Sequence, residues 1–479
     1  MMKVCLIVEG AYPYITGGVS SWIQQMLTRF SDIEFVIQTL VVDRNEKREF
    51  KYKIPDNVSE IHELYLLDDD YIDNKKKKFK LKKKEYEALE SLFFGTEVDW
   101  DGVFKFFQNT TVSLDKLLTS KEFFQMTKNY YNKNYENAVF TDFLWTMRSM
   151  YLPLFLLLKN KPVKADLYHS MSTGYSGVFG SMCKYLYNKP LLISEHGIYT
   201  REREEEIIKA KWVRGLYKDL WIQQFHKFSS CCYDFGDEVT ALFEGAREFQ
   251  IDLGCLREKT NVIHNGVNVS DFEVLPQKDV NDKYINCGAV LRVTPIKDVK
   301  TMINAFYLAK KQVPNLKLWI MGPLDEKPKY VEECRQLIKD LGAEDVIFTG
   351  RVNVKEYLGK MDFTVLSSLS EGQPLVILEG FAAKKPCIST NVGDCFSLIY
   401  GENDQFGDAG IVVPVMNVEK MAKGMVYLAK EEKIRVQMGL NGYNRANNFY
   451  QNDDVFHKYY DLYNKLTDKR RQAVKGKVR

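Results

Sequence analysis

Short apolar runs, each followed by an amphipathic stretch of helical period, recur through both halves of the chain. In the first half they are Lys3–Glu9, Phe35–Val42, Leu167–His169, Leu191–Glu195, Ser229–Asp234 and Asn261–His264. In the second half they are Tyr284–Leu291, Lys317–Met321, Val346–Thr349, Phe363–Ser367, Pro386–Thr390 and Gly410–Val413. Several run straight into Gly, Pro or Asn and then a helical pattern. Repeated β-α units predict parallel sheets covered on both faces. Two such series predict two doubly wound, Rossmann-like domains, an α/β fold.

The expected division is 1–270 for the first domain, 271–450 for the second and 451–479 for a C-terminal helix with a basic tail. The break falls in the polar, non-periodic stretch Val269–Lys283, which carries Pro276. The last helix, about Val455 to Leu466, is rich in aromatics and is expected to dock back on the first domain. Residues 66–150 interrupt the alternation with helical patterns full of Phe, Tyr and Lys, and read as an insertion. Positions 75–84 hold eight lysines in ten residues. Such a run is ordinarily a solvated face, with a patch for anionic lipid or an acidic partner as the sharper reading.

A length of 479 residues suits two domains of roughly 200 residues each. A hydrophobic share of 45% and a charged share of 27% fit a soluble globular protein, and a net charge of +3 gives no signal for nucleic acid. Nine cysteines without paired spacing read as reduced, buried thiols with no metal site. The N-terminus has too short an apolar core for a signal peptide, and Met150–Leu158 is too short to span a bilayer. The expected location is the cytoplasm, with peripheral association at the inner face of the membrane as a further option.

Three segments carry candidate chemistry. Gly10 to Ser20 follows the first strand and contains Gly17 and Gly18, which allow close backbone approach at a helix N-terminus suited to a diphosphate. The segment lacks the GxGxxG spacing of dinucleotide sites. Arg292 and Lys297 follow the first strand of the second domain, at the carboxyl edge where doubly wound sheets bind ligands. Glu371 lies in a later loop, and Glu379 lies about one turn into the helix that begins near Leu375. The loop amides of Gly372, Gln373, Pro374 and Leu375 flank that helix start, although proline itself offers no N–H. His196, in Ser-Glu-His-Gly, ends a strand of the first domain.

Together Gly17-Gly18, Arg292 with Lys297, and Glu371-x7-Glu379 resemble the family-4 retaining glycosyltransferases of GT-B fold, over most of the chain and in the same order. The segments VCLIVEGAYPYITGGVSSW, ISEHGIYTRERE, CCYDFGDEVTALFEGAREFQ and VIHNGVNVSDF resemble the branch that serves Pel exopolysaccharide synthesis. The resemblance implies two domains facing across a cleft that holds the active site, with the first on the acceptor side. It implies a UDP-linked hexose or N-acetylhexosamine donor, a carbohydrate acceptor and an inner-membrane Pel synthesis complex as partner. In such enzymes Gly17 and Gly18 face the diphosphate, Arg292 and Lys297 neutralise it, and Glu379 binds the ribose. Glu371 and the loop after it hold the transferred sugar. Arg351 and Val352 contact the base through backbone groups, and His196 sits beside the anomeric centre. Ser397 departs from the pattern, because relatives tend to carry Glu there.

Asp68-Asp69-Asp70 matches the letters of a metal-binding DxD, but it borders the lysine-rich insertion, away from any predicted sheet edge. Fixed cations and a helix dipole can replace a metal at a leaving diphosphate, so no metal or other cofactor is expected. Retention follows from the resemblance. Without a convincing covalent nucleophile, front-face attack is expected, in which the leaving phosphate helps deprotonate the acceptor. Two alternatives stay open: a nucleotide-sugar epimerase or hydrolase of the same fold, and a non-catalytic nucleotide-binding subunit.

Overall fold

The structure, a computed structural model, describes residues 1–10, 12–68, 80–94, 97–402 and 404–477, with side chains through Asp468. It divides into unit 1, Met1–Val262 with Tyr459–Arg479, and unit 2, Ile263–Lys458.

Unit 1 is built on seven parallel strands: β1 Met2–Glu9, β2 Ile33–Asp43, β3 Val58–Leu67, β4 Leu167–Ser170, β5 Leu191–Glu195, β6 Glu238–Ala241 and β7 Thr260–Val262, in spatial order β3-β2-β1-β4-β5-β6-β7. The chain reverses its lateral direction between β1 and β4, and the crevice beyond their carboxyl ends is where such a sheet receives a ligand. Helix α1 spans Gly18–Arg29 between β1 and β2. Between β3 and β4 come α2 Lys83–Phe94, α3 Trp100–Asn109, α4 Leu114–Leu118, α5 Lys121–Asn134 and α6 Phe140–Lys159. Their Phe, Leu and Met side chains join the sheet's own core: Phe93, Phe104, Phe143, Tyr151 and Leu154 are buried with Ile7 and Leu191. The unit continues with α7 Tyr175–Tyr187, α8 Tyr199–Lys209, α9 Lys218–Phe235 and α10 Glu244–Asp252.

Two strands of unit 1, β3 and β6, were not among the predicted runs, and Ser229–Asp234 is not a strand. That run lies inside α9, where Phe225, Phe228, Ser229 and Cys232 make one buried helical face. A short apolar run cannot separate a buried strand from a buried helix turn.

Unit 2 repeats the plan with six parallel strands in order β10-β9-β8-β11-β12-β13. They are β8 Ile285–Val290, β9 Leu316–Met321, β10 Val346–Gly350, β11 Phe363–Leu366, β12 Cys387–Thr390 and β13 Gly410–Val413. Its helices are α11 Val299–Lys310, α12 Pro328–Leu341, α13 Lys355–Leu358, α14 Leu375–Ala382, α15 Cys395–Tyr400, α16 Val418–Lys430 and α17 Glu432–Phe449. The direction reverses between β8 and β11, so the loops after those two strands share the switch point.

The last helix, α18 Asn452–Lys477, begins in unit 2, and from Tyr459 it packs on unit 1. There the Tyr463 hydroxyl is 2.7 Å from Nδ1 of buried His169, whose Nε2 is 2.8 Å from Ser194 Oγ. All nine cysteines are free and buried. Among the described residues, no helix is long and apolar enough to cross a membrane.

Candidate active site

In unit 2, the segment after β8 and the segment after β11 are stitched together. Leu369 N donates to Ile296 O at 2.8 Å, and Ser367 Oγ donates to Lys297 O at 2.7 Å. This brings the ammonium of Lys297 onto Oε1 of Glu371, which also accepts from Ser368 Oγ at 2.5 Å. The pair is half-buried, with side-chain exposures of 17% and 12%. Asp298, in the left-handed region at φ 44°, turns the chain out of this segment and caps α11 through Thr301 N.

Arg292 stands apart from that pair. Its guanidinium is 60% exposed and bonds Glu326 at 3.1 Å. Arg351, after β10, pairs with Asp325 at 3.4 Å, so two cations rest on adjacent acids of the β9–α12 loop. Exposed pairs of this kind contribute only about 0–1 kcal/mol, so an incoming phosphate can exchange for the acids. Val352 is partly exposed beside Arg351, after Gly350 at φ 71°.

The loop from Gly372 to Pro374 is held from behind. Gln373 is buried, and its side chain is fully engaged: Nε2 donates to Asp394 at 2.5 Å and lies 3.1 Å from His264 Nδ1, while Oε1 accepts from Asn265 N at 2.6 Å. Gln373 therefore shapes the loop, and its side chain is not presented to a ligand. Asp394 N donates to Gly372 O at 2.9 Å. Gly393, at φ 53°, lies so close that a Cβ would meet Gly372 O at 2.1 Å, so only glycine fits. Ser397, on α15, bonds Glu402 at 2.6 Å.

Helix α14 starts at Leu375 with no side-chain cap and no acid in its first turn. Its first amides are left for another acceptor. Glu379 follows one turn later, partly buried, its carboxyl with no hydrogen-bond partner among the described residues. Burial pushes its carboxyl up to about 7, against the pull of Lys355. Burial likewise pushes Asp394 up to about 7, against its hydrogen bonds from Gln373 and Ser397.

In unit 1, Gly10 takes φ 65° after β1, a conformation that favours glycine. Gly17 precedes α1, and a Cβ there would meet nothing within 4 Å, so the open space rather than the fold accommodates glycine. Gly18 is the first residue of α1. One turn on, Trp22 sets its ring edge-on to His196, 4.8 Å between centroids. Val19, Glu9, Ser172, His196, Tyr199 and Arg203 are among the residues that line a cavity of about 240 Å³. His196 Nε2 is buried without a hydrogen-bond partner among the described residues, and burial lowers its imidazole to about 4, so the ring is neutral at pH 7. Glu9 accepts from the Tyr199 hydroxyl at 3.1 Å; burial raises its carboxyl, and Arg203 opposes the rise.

The structure thus has Gly17, Gly18 and His196 in unit 1, and pairs Lys297 with Glu371 in unit 2, with Arg292 and Arg351 on neighbouring loops of the same edge and Glu379 in the first turns of α14. Sequence reasoning missed Asp394 and Asn265 behind the loop, and Glu9 and Arg203 in the cavity. Glu9, Arg203 and Asn265 lie within segments that carry the resemblance, but nothing in their spacing marked them. Asp68 of the Asp triplet pairs with Arg44 at 2.8 Å; Asp69, Asp70 and Lys75–Lys78 lie outside the described residues.

The profile described as "Domain of unknown function (DUF3492)" matches residues 2–258, and that described as "Glycosyl transferases group 1" matches residues 283–431. The chain belongs to the family described as DUF3492, and its residues 283–431 carry the match to the group 1 glycosyltransferases. This glycosyltransferase is similar to the capsular polysaccharide biosynthesis glycosyltransferase CapM of Staphylococcus aureus, at 22% identity over 68% of this chain and 82% of that protein. It is 30% identical to the N-acetyl-alpha-D-glucosaminyl L-malate synthase of Bacillus anthracis, over 35% of this chain but only 42% of that protein's length. Among solved structures, Anabaena HepE in complex with UDP and glucose superposes with a TM-score of 0.61 at 14% identity, over 97% of this chain and 100% of that one. Sucrose-phosphate synthase from Thermosynechococcus elongatus gives 0.61 at 15% identity, over 98% and 100%. These likenesses show the GT-B fold.

Proposed function

We propose that this glycosyltransferase is metal-independent and retaining, and that it moves a hexose or N-acetylhexosamine from a UDP-sugar onto a growing exopolysaccharide of the Pel type, as PelF. The observation that carries the reading is the pairing of Lys297 with Glu371 at the switch point of unit 2, beside the uncapped start of α14. One cation and one helix terminus suit a diphosphate, and one carboxylate suits sugar hydroxyls. Arg292 supplies a second cation when a phosphate displaces Glu326. The Glu379 carboxyl, with no hydrogen-bond donor among the described residues, has both oxygens available for a ribose.

The reaction breaks the bond between the anomeric carbon and the β-phosphate oxygen. It forms a bond from the acceptor oxygen on the same face, and the acceptor proton passes to the departing phosphate. Fixed positive charge stabilises that phosphate as its charge grows. A neutral His196 offers a hydrogen bond rather than a charge. The Pel assignment rests on the four sequence segments quoted above, and the polysaccharide assignment on similarity to CapM. On this reading the protein works at the cytoplasmic face of the inner membrane with Pel assembly partners. The UDP assignment draws support from HepE, whose structure holds UDP.

The test is calorimetry of UDP with and without EDTA, then NMR of the product made from a panel of UDP-sugars. Binding that survives chelation and an α-linked product from an α-linked donor are expected. Affinity that vanishes with EDTA ends the metal-independent reading, an inverted product ends the retaining one, and turnover of donor without acceptor at the transfer rate favours a hydrolase or epimerase.

A further inference from the structure

Unit 1 carries a second cavity, built from parts the proposed reaction does not use. Its volume is about 200 Å³. Helix α6 contributes Asp142, Trp145, Thr146 and Ser149, whose spacing of three, four and seven places them on one helical face. The opposite wall is the segment between α8 and α9, with Trp212 and Tyr217, and Trp221 on α9. Trp212 meets Trp221 edge-on at 5.4 Å, and an ion pair between Arg214 and Asp142 ties the two walls together.

Two of the tryptophans are strongly exposed, Trp145 at 64% and Trp212 at 68%. None of the three indole N–H groups has a protein acceptor among the described residues. A large aromatic left in water beside a cavity points to something that covers it. Four of the surrounding cations are engaged, Arg214 with Asp142, Lys209 with Glu205, Lys218 with Ile208 O, and Arg148 over the Trp145 ring at 5.0 Å, while Lys211 is exposed beside Trp212. Glu204, Glu205 and Glu206 add negative charge to the same segment. With most of these cations held by protein partners and acids beside Lys211, the segment makes a weak site for an anionic lipid surface. A neutral ligand with an apolar ring face and polar edges fits better: the ring face lies on an indole, and hydroxyls bond the Asp142–Arg214 pair, Ser149 and Thr146.

We propose that this cavity is a saccharide-binding site, which holds a sugar unit of the chain away from the reacting end. Its link to chain growth rests on the glycosyltransferase reading. Helix α8 begins at Tyr199, in the wall of the His196 cavity, and runs 11 residues before the Trp212 segment, about 16 Å along its axis. The site therefore lies within reach of a bound oligosaccharide on the same unit.

The experiment is calorimetry of the full chain with tetrasaccharides of N-acetylglucosamine, glucose and galactosamine, each without nucleotide. Saturable binding of at least one is expected, weakened tenfold or more in Trp212→Ala and in Trp145→Ala. Trp212→Phe should retain most of it, which separates a lost aromatic platform from a misfolded segment. UDP affinity should be unchanged in all three variants. No saturable heat with any tetrasaccharide, or equal affinity in the double alanine variant, overturns the proposal. So does Trp212-dependent co-sedimentation with phosphatidylglycerol vesicles in the absence of saccharide binding. Tetrasaccharide binding by a chain that does not bind UDP would leave the saccharide site standing and remove the transferase reading.

Discussion

Glu379 makes nucleotide-sugar binding depend on pH. Its carboxyl, raised to about 7 by burial, has no protein hydrogen-bond donor among the described residues. A ribose with two hydroxyls binds best to the ionised form, which accepts from both. With a midpoint near 7, the ionised share is roughly one-eleventh at pH 6 and ten-elevenths at pH 8. Affinity for a UDP-sugar should therefore rise about tenfold over that interval, or about 1.4 kcal/mol. His196, lowered to about 4, stays neutral throughout and adds no slope. A UDP-sugar is the proper probe, because its diphosphate, unlike that of UDP, has no proton to lose in this range.

The same carboxyl acts on stability with the opposite sense. Its folded value lies above the ordinary 4.5, so the native state holds a proton that the unfolded chain has lost. Stability is lost as pH rises from about 4.5 through about 7, by roughly 3 kcal/mol at most, and by less because the group is partly open to water. Glu379→Gln removes both effects of this carboxyl: the variant should bind the UDP-sugar weakly with a flatter pH profile, any slope left coming from Asp394, which is also raised to about 7, and it should melt no lower than the wild type at pH 8. Calorimetric titrations at pH 6, 7 and 8 decide it. A flat wild-type profile, or an equal slope in the Gln variant, refutes the assignment of Glu379 to the ribose.

Arg292→Ala and Lys297→Ala should each lower kcat by about 10²–10³, as for loss of one donor to developing charge; near-normal steady-state transfer by either variant makes that residue a surface cation. Glu371→Ala should slow transfer while UDP affinity holds, because a sugar contact tightens in the transition state; calorimetry against kinetics separates the two. Gln373→Ala leaves Asn265 N and Asp394 buried without their partner and should cost about 1–3 kcal/mol, read as a lower melting temperature in differential scanning. Tyr463→Phe strips buried His169 Nδ1 of its partner, for a similar cost, and should raise amide exchange along α18 from Tyr459 onward; unchanged exchange would mean the bond contributes nothing to docking.

All six strands of unit 2 were legible in the sequence, because each is a short, mostly apolar run bounded by turn residues. Unit 1 was less so. Strand β3, Val-Ser-Glu-Ile-His-Glu-Leu-Tyr-Leu-Leu, lies at the sheet's edge with much of its surface open, so its sequence mixes acids and apolar residues and lacks the continuous pattern. Strand β6 is only four residues long and begins with Glu238. That carboxylate is buried and satisfied by Asn261 on β7 and by Lys465 on α18, more than two hundred residues away in sequence. No local pattern announces a buried acid whose counter-ion arrives from the end of the chain.

The same distinction runs through the candidate site. Lys297, Glu371 and Glu379 could be named in advance because each stands next to a strand end or a helix start, and such positions show in local sequence. The cation pair could not be resolved that way. Arg292 and Lys297 are five residues apart and looked equivalent, yet the short turn at Pro295–Lys297 rotates Lys297 toward Glu371, while Arg292 leaves β8 toward the acids of the β9–α12 loop. Gln373 shows the converse. Its place between Gly372 and Pro374 suggested a ligand contact, but its amide is the hub that joins Asn265, His264 and Asp394. Fixing that loop is what leaves the start of α14 and Glu371 in place before any donor arrives. Electrostatic stabilisation of a leaving group depends on groups that need not move when charge appears. A residue with no substrate contact can therefore matter to rate as much as one that touches the phosphate.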